Sequence, residues 1–440
     1  MTLDPLKFFN ACNPSKTLRI EQQEDRRYYI DFSSVRGGNV IQRLRRTITN
    51  QPNEATCQLF TGHIGCGKST ELFRLKDELE QQSFHVVYFE SSADLDMADV
   101  DVSDILLAIT RQVSSSLEAA NIHLKPGYFV NLFHELADFL QTPVELSAEA
   151  GVSLPLGIGK ITAKTKDSPK LRSQLRQYLE PRTAGILEAI NQDVLGRATE
   201  LLKQRGQKGL VVIIDNLDRV DLSQRSSGRS QPEYLFIDRG EQLRKLNCHV
   251  VYTIPLVLIF SNELSTLTNR FGVKPIVLPM VTVSNRDGSD HLEGMKLMRQ
   301  MVLARAFPQE QSETRATLIA EVFDSSETLD RLCRVSGGHV RNLLVLLYSC
   351  LQEEDPPIQR ACLESVIREY RDDLIAAISD SEWVLLHRIL QQQDNVKGEE
   401  EYQTLLRSLF LFEYRDPEGR WFGVNPAIAE SKQFQKGKPV

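Results

Sequence analysis

The chain has 440 residues, room for two to four domains at roughly 100–200 residues each. Hydrophobic residues make up 41% and charged residues 25%, which supports packed cores and excludes wholesale disorder. With 52 Lys and Arg against 59 Asp and Glu the net charge is −7. Bulk charge therefore does not make this a nucleic-acid coat, although a local basic patch stays open.

Met1 to Asn10 carry an acid, Asp4, and no long apolar stretch, so they do not read as a secretory signal. Residues 1–50 show few strand signals and close on an arginine-rich helical stretch, Val40 to Thr49. An apolar strand, Thr56 to Thr61, runs into a glycine-rich loop, followed by a helical pattern from Ser69 to Gln82 and a strand from His85 to Glu90. Residues 103–140 read as helices, with Ile105, Leu106, Ile109, Val113 and Leu117 at helical spacing. Alternating residues over 142–166 predict an inserted β-hairpin. A long helix, Ala184 to Arg205, leads to the strand Gly209 to Ile214. A polar loop (Asp221 to Pro232), a helix near 238–246 and a strand, His249 to Ile254, come next. Residues 290–375 read as helical, and 380–426 as a separate small unit. The longest apolar run, Val250 to Phe260, is broken by Thr253 and Pro255 and falls short of the roughly 18–20 residues of a membrane span. No membrane partner is expected. Seven cysteines form no CxxC pair and no metal-ligand spacing, which reads as reduced thiols in a cytoplasmic protein.

The strongest signal is Gly62-His63-Ile64-Gly65-Cys66-Gly67-Lys68-Ser69, followed by Thr70, which fits GxxxxGK[ST] between a strand and a helix. Glycines there let backbone N–H groups approach phosphate oxygens, and the helix aims its positive end at them. Lys68 is positioned to reach the β- and γ-phosphates of ATP, and the Ser69 hydroxyl to ligate Mg²⁺. His63 and Cys66 read as variable positions needed only for their backbones. The second signal is the continuous apolar strand Leu210 to Ile214, ending in Asp215-Asn216-Leu217-Asp218-Arg219. Such a run suits a buried parallel strand, and an acid at its C-terminal end stands where open α/β sheets bind ligands. Asp215 is expected to hold Mg²⁺ through water.

These residues resemble the additional-strand P-loop NTPases of the AAA+, STAND and KAP groups, and the Asp215-to-Asp218 spacing resembles STAND and KAP members in particular. The implied fold is an α/β P-loop NTPase with a helix-flanked parallel sheet, an all-α lid and a small winged-helix unit. AAA+ enzymes usually carry a catalytic Glu where this chain has Asn216. A neutral amide can orient a water but cannot accept its proton. Either Asp218 replaces the base or hydrolysis is slow.

The resemblance extends to weaker matches. Val35-Arg36-Gly37-Gly38 is similar to an adenine-side motif in which backbone near the Val contacts the base; a plain loop is the other reading. Thr253 stands where a sensor-1 residue is placed, and it is equally a buried strand Thr. Arg270, in Asn269-Arg270-Phe271-Gly272, resembles an arginine finger acting in trans, and it is equally a surface arginine. Ser336-Gly337-Gly338-His339-Val340-Arg341-Asn342 resembles a sensor-2 motif, with Arg341 reaching the γ-phosphate from the lid. The expected division is an arm and adenine-side segment (1–50), an ATPase core (51–285, with an insert at 142–182), a lid (286–378) and a winged-helix-like domain with tail (379–440).

Charge separates the last unit from the insert. Residues 380–424 hold five basic against nine acidic residues, which suits a protein-contacting wing rather than a phosphate-contacting one. Residues 160–182 hold seven basic against two acidic residues, the best candidate segment for DNA or an acidic partner. The resemblance implies an ATP-driven switch that self-associates in the ATP state and controls a separately encoded protein effector. A DNA-associated ATPase and a non-hydrolysing nucleotide-bound scaffold are the alternatives.

Overall fold

The computed structural model describes residues 3–124, 127–129, 131, 132, 135, 168–225, 228–391 and 400–436. Five strands, β1 (Cys57–Gly62), β2 (His85–Glu90), β3 (Leu210–Asp215), β4 (His249–Thr253) and β5 (Ile276–Leu278), form one parallel sheet in the order β2-β3-β4-β1-β5. An α/β parallel sheet flanked by helices and followed by a helical part is the fold class the sequence predicts. Every residue of β3 is buried, because helices cover both faces. Side chains alternate along each strand. Phe60, Val211, Ile213 and Val251 pack with the helices Val40–Thr49 and Lys68–Glu80. Leu59, Val212, Ile214, Val250 and Tyr252 pack with the helix Val102–Ala119 and the helical stretch from Thr183 to Gln204. That stretch, read as one helix, widens to π geometry over Ile190–Gly196. The 142–166 hairpin lies outside the described residues.

Beyond β5, the helices Leu292–Ala306, Ser326–Val335, Val340–Glu353 and Arg360–Ala376 bury Met298, Leu332, Leu343, Leu347 and Leu363 in a cluster of their own. The N-terminal arm is divided by this packing. Phe8, Cys12, Phe32 and Val35 join the lid-side cluster, while Val40, Ile41 and Leu44 join the sheet.

The last described segment has two helices, Asp380–Gln391 and Glu400–Arg407, and an antiparallel hairpin, β6 (Leu411–Asp416) and β7 (Gly419–Val424). Its apolar residues pack into the cores of the preceding elements. Leu386, Leu405, Phe410 and Phe422 belong to one sheet-side core, Phe412, Tyr414 and Trp421 to the other, and Ala427 to the lid cluster. The Met280 N–H donates to the Glu413 carbonyl at 2.9 Å, tying β6 to the chain just past β5. Alternating apolar residues in a short hairpin fit an isolated wing and a wedge equally well, and here they form a wedge.

Phe412 is fully buried and its ring stacks on His339 at 5.8 Å. Phe412→Ala should lower unfolding free energy by about 3–5 kcal/mol, read as a lower urea midpoint with an unchanged slope.

Candidate nucleotide site

β1 ends at Gly62, and the loop that follows enters the helix Lys68–Glu80 through Gly67, held in the left-handed conformation (φ 102°). The Lys68 ammonium folds back into this loop. It donates to the Gly62 carbonyl at 2.8 Å and the His63 carbonyl at 2.9 Å, and pairs with Asp218 Oδ2 at 2.9 Å. All three of its protons are thereby directed, in a place almost closed to water. Burial opposes the charge on Lys68 most strongly, but Asp218 together with Cys66 and Asp215 outweighs it and the pKa lies above the ordinary lysine range. The fold is that of a P-loop NTPase.

Asp215 is fully buried at the end of β3. Its carboxylate accepts from the Tyr88 hydroxyl and from the Asn216 N–H, each at 2.7 Å, and is hydrogen-bonded by Ser69. Burial, then the charge of Asp218, raises its pKa against those hydrogen bonds. The two residues expected at Mg²⁺, Ser69 and Asp215, thus meet. The donor set fits the cation: a hydroxyl and a carboxylate, both oxygens, at the mouth of a phosphate loop. Asn216 takes the left-handed conformation (φ 65°), which Asn tolerates better than most residues. Its amide donates to Glu90 Oε2 at 3.1 Å and to Ser92 Oγ at 3.5 Å.

Thr253 sits beside this turn rather than toward the phosphate loop. Its buried hydroxyl accepts from the Leu217 N–H at 3.0 Å and donates to the Ile214 carbonyl at 3.3 Å. It anchors the Asp215–Asp218 turn.

The lid and the hairpin both grip the loop. From the lid, the Arg341 N–H donates to the Gly65 carbonyl at 3.2 Å, and His339 Nε2 lies 2.8 Å from the Ile64 carbonyl. His339 Nδ1 accepts from the Asn342 N–H, so Nε2 carries the proton. A side chain at Gly65 would lie within 3.0 Å of His339 and Arg341, and one at Gly338 only 1.8 Å from the Val281 carbonyl, so both glycines serve close approach. From the hairpin, the Glu413 N–H donates to His63 Nε2 at 2.9 Å. His63 is therefore used for its side chain, a correction to its reading as a backbone-only position. Burial, with His339 and Lys68 nearby, lowers its pKa to about 3 and keeps it a neutral acceptor. Cys66 contributes its carbonyl, which accepts from Arg36 at 2.7 Å, and its Sγ lies 3.8 Å from the Leu278 carbonyl.

The pocket over the loop is lined by Gly65, Cys66, Gly67, Lys68, Ser69, Thr70, Asn216, Asp218, Arg36, Arg219, Arg305 and Arg341. The guanidinium of Arg341, crowded by burial and by Arg219, has a lowered pKa. Leu18, Tyr28, Tyr29, Ile30, Phe32, Met301 and Leu344 also line the pocket and offer flat apolar surfaces of the kind on which a base stacks. None of these was singled out in the sequence; Tyr28-Tyr29-Ile30 was the available signal. Val35 is buried in the lid cluster and its carbonyl accepts from the Thr282 N–H, so Arg36, through its side chain, is the residue of that motif that reaches the pocket. Arg270 does not line this pocket. It stands on the helix Leu264–Phe271, partly exposed, with Glu241 at 3.8 Å.

The basic segment divides. Lys160, Lys164 and Lys166 lie outside the described residues. Arg172 pairs with Asp96 at 2.5 Å, Arg176 with Asp99 and Asp104, and Arg182 lies over the Tyr178 ring. All seven cysteines are unpaired. No described helix is long and apolar enough to cross a membrane.

No protein-family model matches the chain, and no curated protein sequence is recognisably similar to it. Among solved structures, the Walker-type ATPase of Pyrococcus abyssi matches at 11% identity over 95% of this chain and 98% of that one, with a TM-score of 0.44. The ORC2 protein of Aeropyrum pernix, in its ADPNP–ADP complexes, matches at 14% over 88% and 89%, TM-score 0.41. The ORC1 protein of Aeropyrum pernix in complex with DNA matches at 11% over 90% and 92%, TM-score 0.34.

Two outcomes follow from the buried charges. Asp218→Asn leaves Lys68 buried without its counter-ion, at a cost of up to roughly 3–5 kcal/mol. The nucleotide-free variant should melt lower, and added ATP should raise its Tm more than it raises the wild type's. Burial lifts the Glu413 carboxyl from 4.5 to about 7. The folded state then holds this proton more tightly than the unfolded one, a contribution fully present below about pH 4.5 and lost as pH rises through 7. Glu413→Gln should gain stability over wild type from pH 5 to pH 8, by on the order of 3 kcal/mol, in urea titrations at both pH values.

Proposed function

We propose that this protein is an ATP-driven switch that binds ATP with Mg²⁺ at the phosphate loop and hydrolyses it slowly. The observation that carries the reading is the double grip on residues 63–65: the hairpin holds His63 while the lid holds Ile64 and Gly65. A nucleotide that settles on this loop cannot leave both grips equally strong. Its phosphates compete with Asp218 for Lys68 and attract Arg341, which stands on the lid helix. Mg²⁺ held by Ser69 and, through water, Asp215 would offset phosphate charge when bound. The lid angle then follows the nucleotide to the extent that ATP and ADP differ in affinity for the two arrangements.

In this reading the ATP state self-associates, and Arg270, partly exposed and away from its own pocket, is the residue offered to a neighbour's γ-phosphate. The acidic C-terminal unit, winged-helix-like in its two helices and hairpin, contacts a separately encoded effector in the cytoplasm, as in STAND- or KAP-type switches. DNA through residues 160–182 is less supported, because Arg172 and Arg176 are already paired with acids of the same chain.

Light scattering after gel filtration tests this with ATP, ADP and no nucleotide. Wild type should form a larger particle with ATP alone. Lys68→Ala should neither bind ATP nor assemble. Arg341→Ala should bind ATP within about tenfold of wild type yet fail to assemble. One particle size in all three states, from a protein that binds ATP, rejects the switch.

A further inference from the structure

In the nucleotide-free arrangement the Asp215–Asp218 turn offers an attacking water no carboxylate that is both unpaired and open to water. Asn216 is an amide. Asp218 is paired through Oδ2 with Lys68, both almost closed to water, and it becomes the competing acceptor only where phosphate draws Lys68 away. Asp215 is sealed by Tyr88, its own neighbour's N–H and Ser69, and is the acid expected at the cation. The remaining acid on the pocket wall, Glu71, accepts from the Tyr29 hydroxyl at 3.1 Å and pairs with Arg74 at 3.7 Å.

Glu90 differs from all of these. It ends β2, in register with Asp215 on the adjacent parallel strand, so the two side chains project to the same face of the sheet's C-terminal edge. It is half-buried, and water can reach it. The described contacts of its carboxylate include no cation; Asn216, which lines the pocket, holds one oxygen at 3.1 Å. An amide that donates to a carboxylate turns its carbonyl oxygen away, free to accept from a water.

We propose that Glu90 is the general base of ATP hydrolysis, with Asn216 as the positioning residue that fixes it and the water. The base thus stands on the strand beside the one where the resemblance places it. The water oxygen bonds to the γ-phosphorus as the bond to the bridging oxygen breaks. That electron pair leaves on ADP, and the water's proton passes to Glu90, which returns it to the released phosphate or to solvent. The inference rests on the ATPase reading above and names the residue that does its chemistry.

Glu90→Gln decides the matter, because Gln keeps an oxygen for the Asn216 amide and removes the proton acceptor. Single-turnover hydrolysis of radiolabelled ATP should fall about 100-fold or more, while fluorescent-ATP affinity stays within about threefold of wild type and Tm is unchanged. Glu90→Asp should recover part of the rate. Turnover by Glu90→Gln within a few-fold of wild type overturns Glu90 and leaves the ATPase reading intact. A wild type that binds ATP and never turns it over overturns Glu90 and favours a nucleotide-bound scaffold. A wild type that does not bind ATP overturns both.

Discussion

A buried ammonium is the constraint around which this molecule is arranged. Lys68 can stay charged out of water only because two loop carbonyls and Asp218 surround it. Meeting that need fixes the loop's curl, which in turn fixes where the Gly65, Ile64 and Cys66 carbonyls point. Arg341, His339 and Arg36 then take those carbonyls as acceptors. The lid, the arm and the sheet are thus connected through backbone groups of one short loop. The same pairing explains the spacing from Asp215 to Asp218. One tight turn, left-handed at Asn216 and pinned by Thr253, brings Asp215 to Ser69 and Asp218 to Lys68.

What the sequence made legible was local. A continuous apolar run ending in Asp and a GxxxxGK string each carry their geometry within a few residues, and both stand where expected. Strand order is not local. Because β4 enters between β1 and β3, β2 becomes β3's other neighbour, and only then do Glu90 and Tyr88 meet the Asp215 turn. Nothing in the stretch 85–90 marks those two residues as anything but a half-buried strand. The role of His63 escapes the motif for a related reason. The motif explains its backbone, while its side chain answers to Glu413, 350 residues away. The hairpin's apolar alternation likewise specified a strand pair without specifying against which core.

The adenine-side motif shows the same division. A run such as Val35-Arg36 identifies a segment near the site, yet chemistry there is decided by which residue faces inward. Val35 is claimed by the lid cluster, and Arg36 is left to reach across to Cys66. Its guanidinium also lies over the Phe32 ring at 5.3 Å, so one cation bridges loop and arm.

The divided N-terminal arm has a consequence for how the chain is made. Ala11 accepts from Arg305, 294 positions later, and Phe8 is buried among lid side chains. At ribosomal rates of roughly 5–20 residues per second, the arm waits about 15–60 s before those partners emerge. During that interval Phe8 and Phe32 have no native cover. The nascent sheet lacks β5 and the hairpin, so its outer edge is open as well. The interval between arm and lid is therefore when a holding chaperone would find the most to bind.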